Sequence, residues 1–292
     1  MLRKIDLAEI RKLIIVSIAS DDMLMERLVL KGGNALELVH HIGGRASLDL
    51  DYSMEDDFDD LGDVKERLFR ALRERFDSVG MVVFDYKFET RPATMSSEQG
   101  VTWGGYTAEF KLISRERSRA LAGNIDAMRR ESEISGSDQR RKFTIDISKF
   151  EYCAGKQRTL VDSYDCFVYT PTMIGAEKLR AICQQMPGYP QRRHPAPRAR
   201  DFYDIHAVVE HAGVDFSARE TMELVRHMFS VKEVPLGLLA DLAGHREFHR
   251  PSWPAVELAV KGPVQPFDFY VDFVQAEAAK LHPLWVVDPP SR

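Results

Sequence analysis

Two short stretches hold the residues best placed to do chemistry: Leu30-Lys31-Gly32-Gly33-Asn34-Ala35-Leu36 and Arg45-Ala46-Ser47-Leu48-Asp49-Leu50-Asp51. In an extended chain residues i, i+2 and i+4 project from one face. Ser47, Asp49 and Asp51 therefore share a side, and Ala46, Leu48 and Leu50 share the other. Two carboxylates one strand repeat apart, about 6.5 Å, repel unless water or a hard cation lies between them. Mg²⁺ takes one or two carboxylates plus substrate phosphate oxygens, so a cleft-facing Asp49/Asp51 pair predicts a metal-dependent phosphate chemistry. An edge strand with its acidic face in water is the alternative. Gly32 and Gly33 allow the positive φ and close backbone approach of a phosphate-cradling turn, and Asn34 is placed to cap a helix over Ala35, Leu36, Leu38, Val39 and Ile42. A plain tight turn would also use two glycines. No G-x-x-x-x-G-K-[ST] occurs, which argues against a P-loop ATPase.

A third carboxylate has the same setting. Phe143-Thr144-Ile145-Asp146-Ile147-Ser148 alternates apolar and polar residues, placing Asp146 with Thr144 and Ser148 on one face. If that strand neighbours the Asp49/Asp51 strand, three carboxylates converge and two-metal phosphoryl or nucleotidyl transfer becomes possible. Further on, Lys178 follows Pro171 early in a predicted helix, where a lysine could reach a triphosphate as a point charge; a surface lysine is the alternative. Asp201 and Asp204, three apart on a predicted helix, share a face. They could orient Lys178, hold Arg198 or Arg200, touch an acceptor nucleotide, or form an ordinary salt-bridge face. His40, His41, His194 and His206 make no nucleophile or metal set, and no G-x-S-x-G elbow is present.

In order along the chain, Lys31-Gly32-Gly33-Asn34-Ala35-Leu36, then Arg45-x-Ser47-x-Asp49-x-Asp51, Asp146, Glu177-Lys178-Leu179-x-Ala181 and Arg200-Asp201-Phe202-Tyr203-Asp204-Ile205 resemble the motifs of the AbiEii/AbiGii-type nucleotidyltransferase toxins. The resemblance runs from about residue 30 to 206. It implies an α+β, DNA-polymerase-β-like nucleotidyltransferase fold with a mixed sheet and a helical C-terminal part, and the toxin role of a type IV toxin–antitoxin pair with a cognate antitoxin. The MenT-type relatives are similar enough to suggest nucleotide addition from an NTP to the 3′ acceptor end of tRNA. On this reading Asp49, Asp51 and Asp146 would hold Mg²⁺, while Lys31, Gly32, Gly33, Ser47 and Lys178 would bind the nucleotide. Asp201 and Asp204 would complete the catalytic set. Asn34 departs from the family, which has Thr or Ser there. Two other readings stay open: a small-molecule or protein hydroxyl as acceptor, and a nucleotide-binding regulatory module without turnover.

The 292 residues, 44% of them hydrophobic, can build one large domain or two smaller ones. A net charge of −5 and a pI near 6.0 give no global footprint for nucleic acid. Local clusters must carry RNA contact. Arg115, Arg117, Arg119, Arg129, Arg130, Arg140, Arg141 and Lys142 form one; Arg180, Arg192, Arg193, His194, Arg198 and Arg200 form another. Such stretches are ordinarily solvated faces. The three cysteines, with no C-x-x-C pair, suit reduced thiols in the cytoplasm. The apolar run Leu13-Ile14-Ile15-Val16 is too short to cross a bilayer, and Asp6 and Glu9 precede it where a signal peptide would carry positive charge. Neither export nor membrane anchoring is expected.

Periodicity predicts helices over 5–28, 35–42 and 63–76, strands over 82–89, 106–114 and 142–148, and helices over 172–185, 199–211, 217–229 and 267–281. A proline- and arginine-rich loop separates the first two helices of the second half. A soft boundary near 160–172 divides a nucleotidyltransferase α/β domain, 1–165, from a mainly helical domain, 166–292.

Overall fold

The computed structural model describes residues 5–43, 49–92, 104–136, 139–189, 191 and 195–286. Ser47 and Arg45, and the basic group Arg192, Arg193 and His194, lie outside the described residues. The chain opens with α1 (Leu7–Ala19) and α2 (Asp22–Arg27) and passes through β1 (Val29–Lys31) into a single turn, α3 (Gly32–Asn34), prolonged as a π-helical turn over Ala35–Val39. β2 (Leu50–Ser53), α4 (Leu61–Ser78), β3 (Met81–Arg91), β4 (Gly105–Ser114), α5 (Arg115–Ala120), α6 (Ile125–Glu131), β5 (Phe143–Ser148), β6 (Gln157–Val161) and β7 (Tyr164–Val168) follow. From there the elements are helical: α7 (Pro171–Cys183), α8 (Ala199–Ala212), α9 (Arg219–Ser230), α10 (Arg246–His249), α11 (Trp253–Ala259) and α12 (Phe267–Ala279).

The strands form one mixed sheet in the order β3-β4-β5-β2-β1-β7-β6. β1 runs antiparallel to β2 and parallel to β7, and β2 runs parallel to β5. Alternation decides which face is which. Leu50, Tyr52, Ile145 and Ile147 are buried in the apolar core, leaving Asp51 and Asp146 on the opposite face. α4 places Val64, Leu68, Ala71, Leu72 and Phe76 on one stripe and packs on β3 and α1. α7, buried along most of its length, packs against α8 and α9.

Side-chain capping explains several helix starts. Asp6, Asp21, Asp60 and Thr170 each accept a backbone N–H from the first turn of their own helix, at 2.8–3.2 Å. α8 has no local side-chain cap of this kind. The helix expected over 5–28 is two helices, because Asp21 restarts the chain by capping Leu24 instead of continuing α1. Asn34 is not the cap expected of it: the helical turn starts at Gly32, and the buried Asn34 amide instead donates to the Asp49 carbonyl at 2.7 Å and accepts from Arg11 at 3.0 Å. β1, β6 and β7 were not expected. β1 has only three residues and β6 is largely exposed, so neither carries a clear hydrophobic period. Position 165/166 falls inside β7, which pairs with β1, and the helical part begins at Pro171.

Candidate active site

The parallel register of β2 and β5 sets Asp51 opposite Asp146, and the antiparallel register of β1 and β2 sets Lys31 opposite Asp51. Three charged residues thus lie side by side across three adjacent strands. Gly32 turns away immediately after Lys31 with φ +68°, and a Cβ there would stand 2.8 Å from Asp51 Oδ2. Only glycine allows both the positive φ and this approach. Thr107 of β4 donates to Asp146 Oδ1 at 2.6 Å and fixes that carboxylate. Asp49 lies in a bend just before β2, so the strand does not extend back to it; Arg140 stands 3.9 Å from its carboxylate.

Burial pushes the Asp51 carboxyl up to about 6; Lys31 pulls against this, while Asp146 and Glu177 add to it. Burial likewise raises Asp49, opposed by Arg140 and reinforced by Asp146. These carboxylates therefore feel one another's negative charge. Among the described residues no three His, Cys, Asp or Glu side chains form a ready-made metal cage. The fit to Mg²⁺ comes from the donor chemistry: two adjacent, mutually repelling carboxylates, with phosphate oxygens left to complete the shell.

Facing them is α7. Lys178 is 4% exposed, and its Nζ lies 2.9 Å from Asp201 Oδ1 and 2.7 Å from Asp204 Oδ2. Burial alone would raise Asp201, but Arg198 and Lys178 overcome it and hold this carboxyl well below the usual range. Of the roles open to Asp201 and Asp204, the geometry displays two: both hold Lys178, and Asp201 also holds Arg198. A cavity of about 260 Å³ is lined by Gly32, Gly33, Asp51, Lys178, Arg198 and Arg200 among others, joining the glycine turn, a sheet carboxylate and the buried lysine. A second cavity, of about 280 Å³, continues past Asp146 between β4 and the end of α7.

Beneath both lies a charge network that the sequence did not announce. Glu151 accepts from Arg180 at 2.7 Å and has Lys232 at 3.5 Å and Lys31 at 4.0 Å. Burial opposes its ionisation, yet Arg180, Lys31 and Lys232 bring Glu151 down to about 2. Lys31 also donates to Ser148 at 3.3 Å. Thr107, Ser148, Glu151 and Lys232 were missed as site residues. Thr107 and Ser148 were discoverable from strand alternation, whereas Glu151 and Lys232 carry no local signal. The first arginine-rich cluster is largely paired with acids: Arg115 with Asp77, Arg117 with Glu131, Arg129 with Asp85 and Lys142 with Glu109. In the second, Arg180 is internal and Arg198 pairs with Asp201. Among the described residues no helix is long and apolar enough to cross a membrane.

The chain resembles two solved structures from Helicobacter pylori. A candidate nucleotidyltransferase is 14% identical, with 96% of this chain and 94% of that one covered and a TM-score of 0.50. The protein JHP933 is 15% identical, with 95% and 90% covered and a TM-score of 0.46. At these identities the likeness concerns the fold, and the first structure agrees with a polymerase-β-like nucleotidyltransferase architecture. No curated protein matches the chain. The model of the nucleotidyl transferase AbiEii toxin family matches residues 14–272, a span that takes in the sheet carboxylates, the glycine turn and the α7–α8 lysine–aspartate set together. Both halves of the cleft thus lie within one familial unit, and the chain belongs to the AbiEii nucleotidyl transferase toxins of type IV toxin–antitoxin systems.

Proposed function

We propose that this protein transfers a nucleotide from an NTP to the 3′ acceptor end of tRNA in a Mg²⁺-dependent reaction, and that a cognate antitoxin restrains it. The observation that carries this reading is the register pairing of Asp51 with Asp146 beside the cavity that holds Lys178 and the Gly32–Gly33 turn. In nucleotidyl transfer the acceptor hydroxyl oxygen bonds to the α-phosphorus, the bond to the bridging oxygen breaks, and pyrophosphate departs. Bound Mg²⁺ would supply Lewis-acid stabilisation of the phosphates and lower the pKa of the acceptor hydroxyl. Asp51, Asp146 and Asp49 would hold it. Asp146, fixed by Thr107 and lining the second cavity, would meet an acceptor hydroxyl brought in through it. Gly32 lets the backbone pass over Asp51 without a side chain intruding on the phosphates. Lys178, held by two aspartates, would offset charge building on the departing pyrophosphate. Ser47, just ahead of this set in sequence, would add a hydroxyl donor.

Incubation of the purified protein with α-labelled NTPs, Mg²⁺ and total RNA tests the proposal. Label in tRNA, lost on chelation of the metal, is expected. Label in protein or a small molecule instead would move the acceptor, and nucleotide binding without transfer would leave a regulatory module.

A further inference from the structure

The helix that carries Asp201 and Asp204 is capped from far away in the sequence. α8 has no side-chain cap from its own first turn. Its leading N–H groups are satisfied instead by the segment that ends α10 and follows it. The Arg198 N–H donates to His249 Nδ1 at 3.0 Å, and the Ala199 N–H donates to Ser252 Oγ at 3.0 Å. Ser252 Oγ in turn donates to the His249 carbonyl at 3.0 Å, which ties the two acceptors together. His249 is fully buried, with its ring against Phe202 of α8. The Asp201 N–H donates to the Arg198 carbonyl at 3.0 Å, so the capped residue and the lysine-binding aspartate belong to one turn.

We propose that His249 and Ser252 form the N-terminal cap of α8 and act as positioning residues for the Lys178–Asp201 pair. An Nδ1 that accepts an N–H must be unprotonated, which places the ring proton on Nε2. Burial supports this by pushing the His249 imidazole down to about 4; Asp201 opposes the shift, while His245 and Arg198 reinforce it. Protonation would set two donors against each other and release the Arg198 N–H. Because the folded pKa is depressed, the cap is intact above the ordinary value of 6.5 and is lost as pH falls through about 4.

Three measurements on the full chain test this. One is amide exchange at residues 198–202, the second is acylation of Lys178 by a small amine-reactive anhydride, which releases a carboxylate, and the third is the KM–kcat split for NTP. The third rests on the proposed transfer; the first two do not. His249→Leu removes the acceptor and should speed exchange at Arg198 and Ala199, and lower kcat, by about tenfold each, with KM changed less, since Lys178 acts on charge that builds only as pyrophosphate departs. Acylation of Lys178 should rise in parallel. His249→Asn, whose Oδ1 can take the place of Nδ1, should restore all three and remove the acid-side change in exchange. Ser252→Ala, a milder lesion, should act in the same direction and serves if His249→Leu does not fold. Unchanged exchange in the folded variants overturns the cap. Faster exchange with unchanged Lys178 acylation, or an Asn variant no better than Leu, overturns the positioning role. A wild-type chain that uses no NTP would remove the proposed function while the first two measurements still decide the cap.

Discussion

On the sheet, Asp51 and Asp146 sit side by side with only partial compensation: Lys31 opposes the burial that still holds Asp51 near 6, and Arg91 stands 3.9 Å from Asp146. A short distance away on α8, Asp201 and Asp204 close on Lys178, and Asp201 is held far below its ordinary value. Both regions place carboxylates in the same cleft, partly buried on the sheet and fully buried on α8. The sheet pair retains charge that a cation and a substrate can complete. The helical set has spent its charge internally and works as a mount that keeps one lysine in place. A partly compensated carboxylate open to a cleft marks where something else can bind, whereas a buried and fully compensated one marks what holds the site together.

The sharpest way to break this contrast is Asp51→Asn. Transfer should fall by about 10²–10³-fold or more, while the fold gains up to about 3 kcal/mol at pH 7. The sign follows from a folded pKa near 6, above the ordinary 3.8: wild-type stability declines as pH rises through that interval, and the Asn variant escapes the decline. Urea unfolding at pH 4 and pH 7 should therefore show an advantage only at pH 7. An Asn variant less stable at both pH values would mean the sheet carboxylate is already compensated.

Lys178→Met should do the reverse. It takes Lys178 from both buried carboxylates, leaving Asp201 with Arg198, and should cost about 3–5 kcal/mol in urea unfolding. Adding Asp201→Asn and Asp204→Asn should recover much of that stability without recovering transfer. Recovery of transfer as well would strip Lys178 of any contact with the nucleotide.

The smallest effect belongs to the exposed arginine face. Arg117→Ala breaks a surface pair with Glu131 and should leave the urea midpoint nearly unchanged. Transfer to RNA should be unaltered. A marked rise in KM for RNA would make this face part of the acceptor path.

Sequence alone was most informative where one period settled the matter. The alternation around Asp146 predicted the strand and its polar face, and that strand lies beside β2 in the register that brings Asp146 to Asp51. The shared face of Asp201 and Asp204 followed from their spacing of three. What escaped was fixed by contacts between distant segments. Glu151 looks like any acid after a strand until Arg180 and Lys232 arrive from α7 and from beyond α9. Asn34 had the right type for a cap, but its amide found the Asp49 carbonyl instead. β1 was too short for a periodic signal and exists because β2 and β7 flank it.

Vectorial synthesis gives the α8 cap a further meaning. The acceptor for the Arg198 N–H lies 51 residues downstream, at His249. At a translation rate of about 5–20 residues per second, roughly 3–10 s separate synthesis of the two groups. Lys178, Asp201 and the sheet carboxylates are all made before the ring that steadies the start of α8. During its own synthesis the chain thus passes through a stage in which the charged groups of the cleft are present but this brace is not, so the start of α8 is steadied only after the groups it positions have been made.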